Sequence, residues 1–181
     1  MRPGEVAGAA IAELADIDNA ARLEMPAVRM KGGRAHVVPL AAMALGIVRA
    51  QLDRAVEGQA HIFPSAFADR GPIARHSLSQ ALKRIIGELP VSRATERLKS
   101  DPPTPHDFRR TLATGLAALG VLREDRLAVL AHAQGDVHGV HYDKHDRFNE
   151  KRAALEKWEA HIADIIGSPK TADNVVRLAR R

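Results

Sequence analysis

Cysteine is absent from this 181-residue chain, and its aromatic residues number only four Phe, one Trp and one Tyr. Without thiols there is no disulfide and no Cys-ligated zinc site, a composition that suits a reducing compartment. Aromatics make up 3% of residues while apolar residues reach 45%, so the core has to be aliphatic, built from Leu, Ile, Val and Ala. No apolar run approaches the ~20 residues of a bilayer span, and the N-terminus lacks the pattern of a signal peptide. Acidic residues are in deficit, 22 against 27 Lys and Arg, for a formal charge of +5 and a pI near 10.0. The excess is mild. It favours anionic partners, nucleic acid first, with a merely basic soluble protein as the plain alternative. The length fits one domain, or one plus an appendage.

The pattern along the chain predicts a mainly α fold with a small antiparallel sheet (α+β). "PGEVAGAAIAELADID" opens with proline and an acid, which suit a first helical turn, and runs into a strand near residues 14–17. Apolar alternation in "RLEMPAV" and the Gly32-Gly33 pair predict a hairpin of strands near 22–30 and 35–39. Lys31 and Arg34 flank its turn, and Pro26 confines its strand to an edge or a bulge. "AAMALGIVRAQLDRAVE" reads as a helix with Met43, Ile47 and Leu52 on one side. Ser77 and Gln80 resemble a capping box opening a helix whose inner face is Leu78, Leu82, Ile85 and Ile86. Residues 90–104, polar and proline-containing, read as a loop with room for a helical turn. Thr104 and Pro105 start a helix with Phe108, Leu112, Leu116 and Leu119 at helical spacing, and Gly120 stops it. "LREDRLAVLAH" is a further helix. "EKRAALEKWEAHIADII" closes the fold with Ala153, Leu155, Trp158, Ile162 and Ile165 as its apolar face. Residues 167–181 form a basic, polar tail.

Two groups of residues carry chemistry. His106 and Arg109 lie three apart in the first turns of a helix, where N–H groups already favour an anion. A guanidinium and an imidazole there make a phosphate clamp; the alternative is an arginine paired with a carboxylate and a surface histidine. The second group is "AHAQGDVHGVHYDKHD", which holds four of the nine histidines and the single tyrosine, Tyr142. A metal site, a catalytic cluster and a solvated loop all remain open there. His138, His141 and His145 offer three imidazoles for zinc or nickel, but at a spacing that matches no standard signature.

"PHDFRRT" resembles the His-x-x-Arg box of the tyrosine recombinases, the phage integrase family, and "LAHAQGDVHGVHY" resembles the segment that follows it. That family has Leu-Gly-His and a tyrosine about ten residues on; this chain has Ala131 in place of the glycine, then His132 and Tyr142. "RPGEV" resembles the first-arginine motif of integrases from temperate phages and genomic islands, and "RMKGGRAHVVPL" the hairpin bearing a catalytic lysine. "IFPS" and "PIARHSLSQALKRI" fall where the family has a loop and a helix. The resemblance runs from Arg2 to about Ile166, with five motifs in order.

The resemblance implies the catalytic domain of a DNA breaking-rejoining enzyme over residues 1–166. Its catalytic residues would be Arg2, Lys31, His106, Arg109, His132 and Tyr142. Arg2 and Arg109 would hold the non-bridging oxygens of a scissile phosphate in double-stranded DNA, and Tyr142 would attack phosphorus. His106 would take the phenolic proton or donate to the phosphate. His132 would position the phosphate from the other side, and Lys31 would protonate the departing 5′ oxygen. Neither a nucleotide cofactor nor a metal is required. The partners implied are attachment-site DNA and other protomers in a synaptic tetramer, in a bacterial cytoplasm. Because Arg2 stands at the start of the chain, the N-terminal DNA-binding domains of such integrases are expected to be missing. A DNA-binding remnant without activity is the rival reading, and a His-cluster metal protein a more distant one.

Overall fold

The computed structural model describes residues 1–66, 71–132 and 147–167. The described residues form seven α-helices and a small antiparallel sheet, two short 3-10 turns aside. Helix α1 (Pro3–Ala7) has proline at its first position. The Glu5 carboxylate closes its start, accepting from the Arg2 backbone N–H at 2.5 Å. A 3-10 turn (Ile11–Glu13) then leads into β1 (Leu14–Ala15), where the pattern predicts a strand.

Strands β2 (Arg22–Met25) and β3 (His36–Pro39) complete the sheet in the order β1-β2-β3. Leu23 faces Leu14 on one side and Val38 on the other, and Met25 faces His36. The hairpin exists, but not with the expected tight turn. Because β2 is the central strand, it cannot extend through Pro26, which has no N–H for the ladder. It stops at Met25, and Pro26 begins a 3-10 turn over Ala27–Arg29. The connection therefore runs through residues 26–35, with Gly33 in the left-handed region at φ +63.

Helix α2 (Ala42–Leu52) is where expected but turned. Val48 points inward, while Met43 and Ile47 are exposed. Its start has no side-chain cap of its own. The carboxylate of Glu159 supplies one, accepting from the N–H of Ala42 at 3.1 Å and from that of Met43.

Helix α3 (Arg75–Glu88) begins two residues before Ser77, with Ala74 at its N-cap, so the Ser77–Gln80 box is not used. Ile86 is buried and Ile85 exposed. Helix α4 (Arg93–Ser100), about two turns long, stands where a loop with a helical turn was expected, capped by Ser92, whose hydroxyl accepts from the Thr95 N–H at 3.2 Å. Helix α5 (Pro105–Ala118) starts as its sequence predicts, with the Thr104 N–H donating to Asp107 Oδ2 at 2.9 Å. Leu116 is fully buried, but Phe108 from the same stripe is exposed. Gly120 ends the element at φ +72. Helices α6 (Arg123–Val129) and α7 (Phe148–Gly167) complete the fold. In α7 the buried positions are Lys151 and Ala154, whereas Ala153 and Ile165 face solvent.

The apolar interior has two parts. Ala9, Leu23, Val48 and Ile62 form one beneath the sheet. Leu116, Val121, Val129 and Ala154 form the other between α5, α6 and α7. Among the described residues, no helix is long and apolar enough to cross a membrane.

Candidate functional site

Arg2 caps α1 and turns its guanidinium back onto the same carboxylate that closes the cap. Nη1 lies 2.8 Å from Glu5 Oε1. Glu5 is only 6% exposed. Burial pushes its carboxyl up, but the hydrogen bonds and charge of Arg2 outweigh burial and hold it below the ordinary value. Glu5 thus fixes Arg2, the supporting role its position suggests. Arg29, from the turn after β2, donates to the Glu5 backbone carbonyl at 2.9 Å and pairs with buried Glu13. Together these contacts clamp α1 to the segment just before Lys31. Met30 is buried, and residues 31–35 are exposed. Lys31 therefore stands at the root of an exposed loop, with no ion pair among the described residues.

Arg109 enters from α5, one helical turn beyond His106. It is 8% exposed. Its Nη2 donates to the carbonyl of Leu130, and its buried Nη1 has no partner among the described residues. Burial lowers the proton affinity of this guanidinium, and the charge of Arg2 lowers it further, with Glu5 acting in opposition. Both arginines also act on His132. Partial burial and then the charges of Arg109 and Arg2 hold its imidazole below the ordinary value.

His132 owes its place to the turn that ends α6. Ala131 adopts φ +49, and the His132 N–H donates to the Leu127 carbonyl at 3.0 Å. This is a helix C-cap with alanine in the left-handed position that glycine usually takes. The backbone thus explains the family's glycine there, and the alanine bears the strain of standing in for it.

The structure brings Arg2, Arg109 and His132 within electrostatic reach of one another, from three segments far apart in sequence, with Glu5 holding Arg2. His106 is exposed in the first turn of α5, and its side chain makes no hydrogen bond among the described residues. Tyr142, with His138, His141 and His145, lies outside the described residues. Among the described residues no cluster of three or more His, Asp or Glu could hold a metal ion.

Sequence reasoning missed the residues that brace this site. Arg29 and Glu13 gave no signal, because nothing local distinguishes a bracing arginine from a solvated one. His36 did give one: it stands in phase with Val38 on an apolar strand, and it is 7% exposed. Burial first, then the charge of Lys151, pushes its pKa down to about 4. Lys151, 4% exposed, donates from Nζ to the Val37 carbonyl at 2.6 Å. Chemically, two guanidiniums and an imidazole near one another, with a buried donor unused, can accept an oxyanion.

The model of the Phage integrase family matches residues 1–147. Prophage integrase IntA of Escherichia coli (strain K12) is 31% identical over 175 residues, covering 96% of this chain and 37% of that protein. Prophage integrase IntZ of the same strain is 29% identical over 147 residues, covering 81% of this chain and 33% of that protein. The chain spans about a third of the length of these relatives. No solved structure gives a significant match. A family match over most of the chain, joined to the convergence of its first arginine on the His-x-x-Arg helix, establishes that the chain belongs to the phage integrase family.

Proposed function

We propose that residues 1–166 form the catalytic domain of a site-specific tyrosine recombinase that integrates or excises a mobile element, and that residues 167–181 form an appended tail. Arg2 and Arg109 hold the two non-bridging oxygens of one DNA phosphate. The phenol oxygen of Tyr142 attacks phosphorus. The bond to the 5′ oxygen breaks, and a 3′-phosphotyrosyl link remains. Lys31 gives the departing oxygen its proton, and His106 receives the phenolic one or donates to the phosphate. Religation reverses these steps. Because the phosphodiester's energy stays in the phosphotyrosyl bond, no nucleotide is consumed. Double-stranded attachment-site DNA and further protomers in a synaptic tetramer are the partners of this reading.

The observation that carries it is the unused Nη1 of Arg109. A buried guanidinium donor without a partner is costly, and here a second guanidinium adds repulsion. A bound phosphate removes both costs at once, and most in the transition state, where its charge is greatest. The test is covalent capture on a nicked duplex of the attachment site. Wild type is expected to form a protein–DNA adduct, and Tyr142→Phe to form none while still binding DNA. Arg109→Ala is expected to slow capture by roughly 10²–10³-fold, the usual cost of removing one transition-state donor. An adduct in the phenylalanine variant would sink the assignment, since the chain has no other tyrosine.

A further inference from the structure

Glu5 is held at two places, and only one of them concerns Arg2. Its carboxylate accepts from the Arg2 guanidinium at 2.8 Å. Its backbone carbonyl accepts from Nη2 of Arg29 at 2.9 Å, across 24 positions of sequence. The other nitrogen of that fork, Nη1, pairs with the buried carboxylate of Glu13, which also accepts the Ala10 N–H at 3.0 Å. Gly8 leaves room for the guanidinium: a Cβ there would lie 3.0 Å from Nη2. On the chain side, Arg29 ends the 3-10 turn Ala27–Arg29. Met30 after it is buried. The Met30 N–H donates to the Ala27 carbonyl at 3.1 Å, and the Met30 carbonyl accepts from the Gly33 N–H at 2.9 Å. Lys31 is the first exposed residue beyond. An unbroken series of contacts thus runs from the Arg2 guanidinium, through Glu5 and Arg29, to the backbone that carries Lys31.

We propose that Arg29 is a positioning residue: it sets the root of the Lys31 loop relative to Arg2, so that the lysine ammonium meets the 5′ oxygen of a phosphate that Arg2 holds. The chemical role of Lys31 rests on the integrase reading above; the placement of its root does not. Arginine suits this task because two acceptors from different segments must be held at once, and its planar fork presents donors to both. A lysine ammonium is compact and has no fork. It would pair with Glu13 and leave the Glu5 carbonyl behind. The demand on Lys31 is one of reach. Its stem is flexible, so the ammonium arrives at the leaving oxygen only from a root at a fixed distance from the phosphate. A misplacement of about 1 Å can cost roughly 10²-fold in rate. In this arrangement the pair with Glu13 is the anchor, and the bond to the Glu5 carbonyl is the gauge.

The test is Arg29→Lys in the full 181-residue chain, which keeps a positive charge beside Glu13. Two nicked duplexes are compared, with the natural 5′ oxygen or a sulfur as the leaving atom at the scissile phosphate. As the bond to phosphorus breaks, the oxygen takes a proton from Lys31; sulfur leaves as a thiolate and needs none. Lys31→Ala is the reference, expected to slow the oxygen substrate by roughly 10²-fold and to be largely rescued by sulfur. Arg29→Lys is expected to slow the oxygen substrate by about tenfold and to leave the sulfur substrate near wild type. Combined with Lys31→Ala it should add no further loss, because both changes remove one function. A residue that only stabilised the fold, or acted through Arg2, would slow both substrates alike, and that result overturns the proposal. Amide exchange without DNA is the second arm. Arg29→Lys is expected to speed exchange at Met30 and Gly33 by about tenfold while the amides of β2 stay as in wild type. Unchanged exchange at these two amides overturns the proposal whatever the cleavage rates. Should wild type form no adduct, or sulfur fail to rescue Lys31→Ala, the chemistry given to Lys31 falls, and exchange alone decides whether Arg29 sets the root of the loop. Should Arg29→Lys fail to fold, Gly8→Val takes its place. The backbone there, at φ −91, accepts any residue, and the new side chain crowds Nη2 away from the Glu5 carbonyl while Arg29 keeps its charge. The same pattern is expected, and its absence overturns the proposal.

Discussion

Beneath the sheet, buried charge organises the chain: Glu5 holds Arg2, Glu13 holds Arg29, and Arg29 reaches back to the Glu5 carbonyl. Between α5 and α7 the work falls to shape, where Gly115 leaves room for the ring of Trp158 and Leu116, Val121 and Ala154 fill the space beside it. Polar bonds fix direction and register more sharply than they add stability, whereas apolar packing adds stability and tolerates little change in volume. The first half accordingly aims Arg2 and places the root of the Lys31 loop. The second is the rigid body that carries Arg109.

The largest effect is expected where the helical half is tightest. A Cβ at Gly115 would lie 2.1 Å from Cζ3 of Trp158, a distance no side chain accepts. Gly115→Ala should cost about 3 kcal/mol in chemical denaturation. Adding Trp158→Leu should recover part of that loss. If the single variant is as stable as wild type, the contrast between the halves is wrong.

A change of pH tests the sheet half. His36 takes up a proton near 6.5 when unfolded and only near 4 when folded. Above 6.5 neither state is protonated. Between these values only the unfolded chain gains the proton, so stability falls as pH drops. By pH 4 the loss from His36 should reach roughly 2–3 kcal/mol. Glu5 adds loss in the same direction lower down, because its folded carboxyl is depressed below 4.5 and its contribution disappears as pH falls through the folded value. Urea titrations between pH 7.5 and 4 should show this slope, and His36→Asn should reduce it; the part that remains comes from the Met1 amino group, held down to about 6, and from His132, whose pKa is also lowered.

The smallest effects are expected from two opposite glycine exchanges. Ala131→Gly relieves a left-handed alanine and should stabilise the protein by about 0.5–1 kcal/mol, net of the added freedom of the unfolded chain. Gly46→Ala, in an exposed turn of α2 with nothing within 4 Å of a new Cβ, should also stabilise by about 0.5–1 kcal/mol. A loss in either thermal melt would mean that the local backbone does not set the balance there.

What the sequence made legible follows the range of the forces involved. The start of α5 was readable because Thr104, Pro105 and Asp107 cap it from within four residues, and Gly120 ended it for an equally local reason. The sheet was readable from alternation, but the length of its hairpin was not, since Gly32-Gly33 outweighed a proline whose effect depends on β2 being the central strand. The face of α2 was only partly legible: of Met43, Ile47 and Leu52, Leu52 packs against the core of Ala9, Leu23 and Ile62, whereas Val48 is buried there and Met43 and Ile47 are exposed. The pairing of Arg2 with Arg109 was legible only through family resemblance, since no local pattern joins residues so far apart. Arg29 was not legible as part of the site at all, because its partners are a carbonyl and a carboxylate from other segments, and His36 showed only as a histidine in phase with an apolar strand.

The carboxylate of Glu159 on the start of α2 bears on how such a chain comes into being. Synthesis runs from the N-terminus, so α2 leaves the ribosome long before the residue that caps it. The Val37 carbonyl, beside His36, likewise waits for Lys151. Until α7 has been translated, the sheet half has its own charged clamp but lacks the bonds that tie it to the helices. The bonds that α7 makes to the start of α2 and to the Val37 carbonyl are therefore the last to become available, although the residues they hold are among the first made.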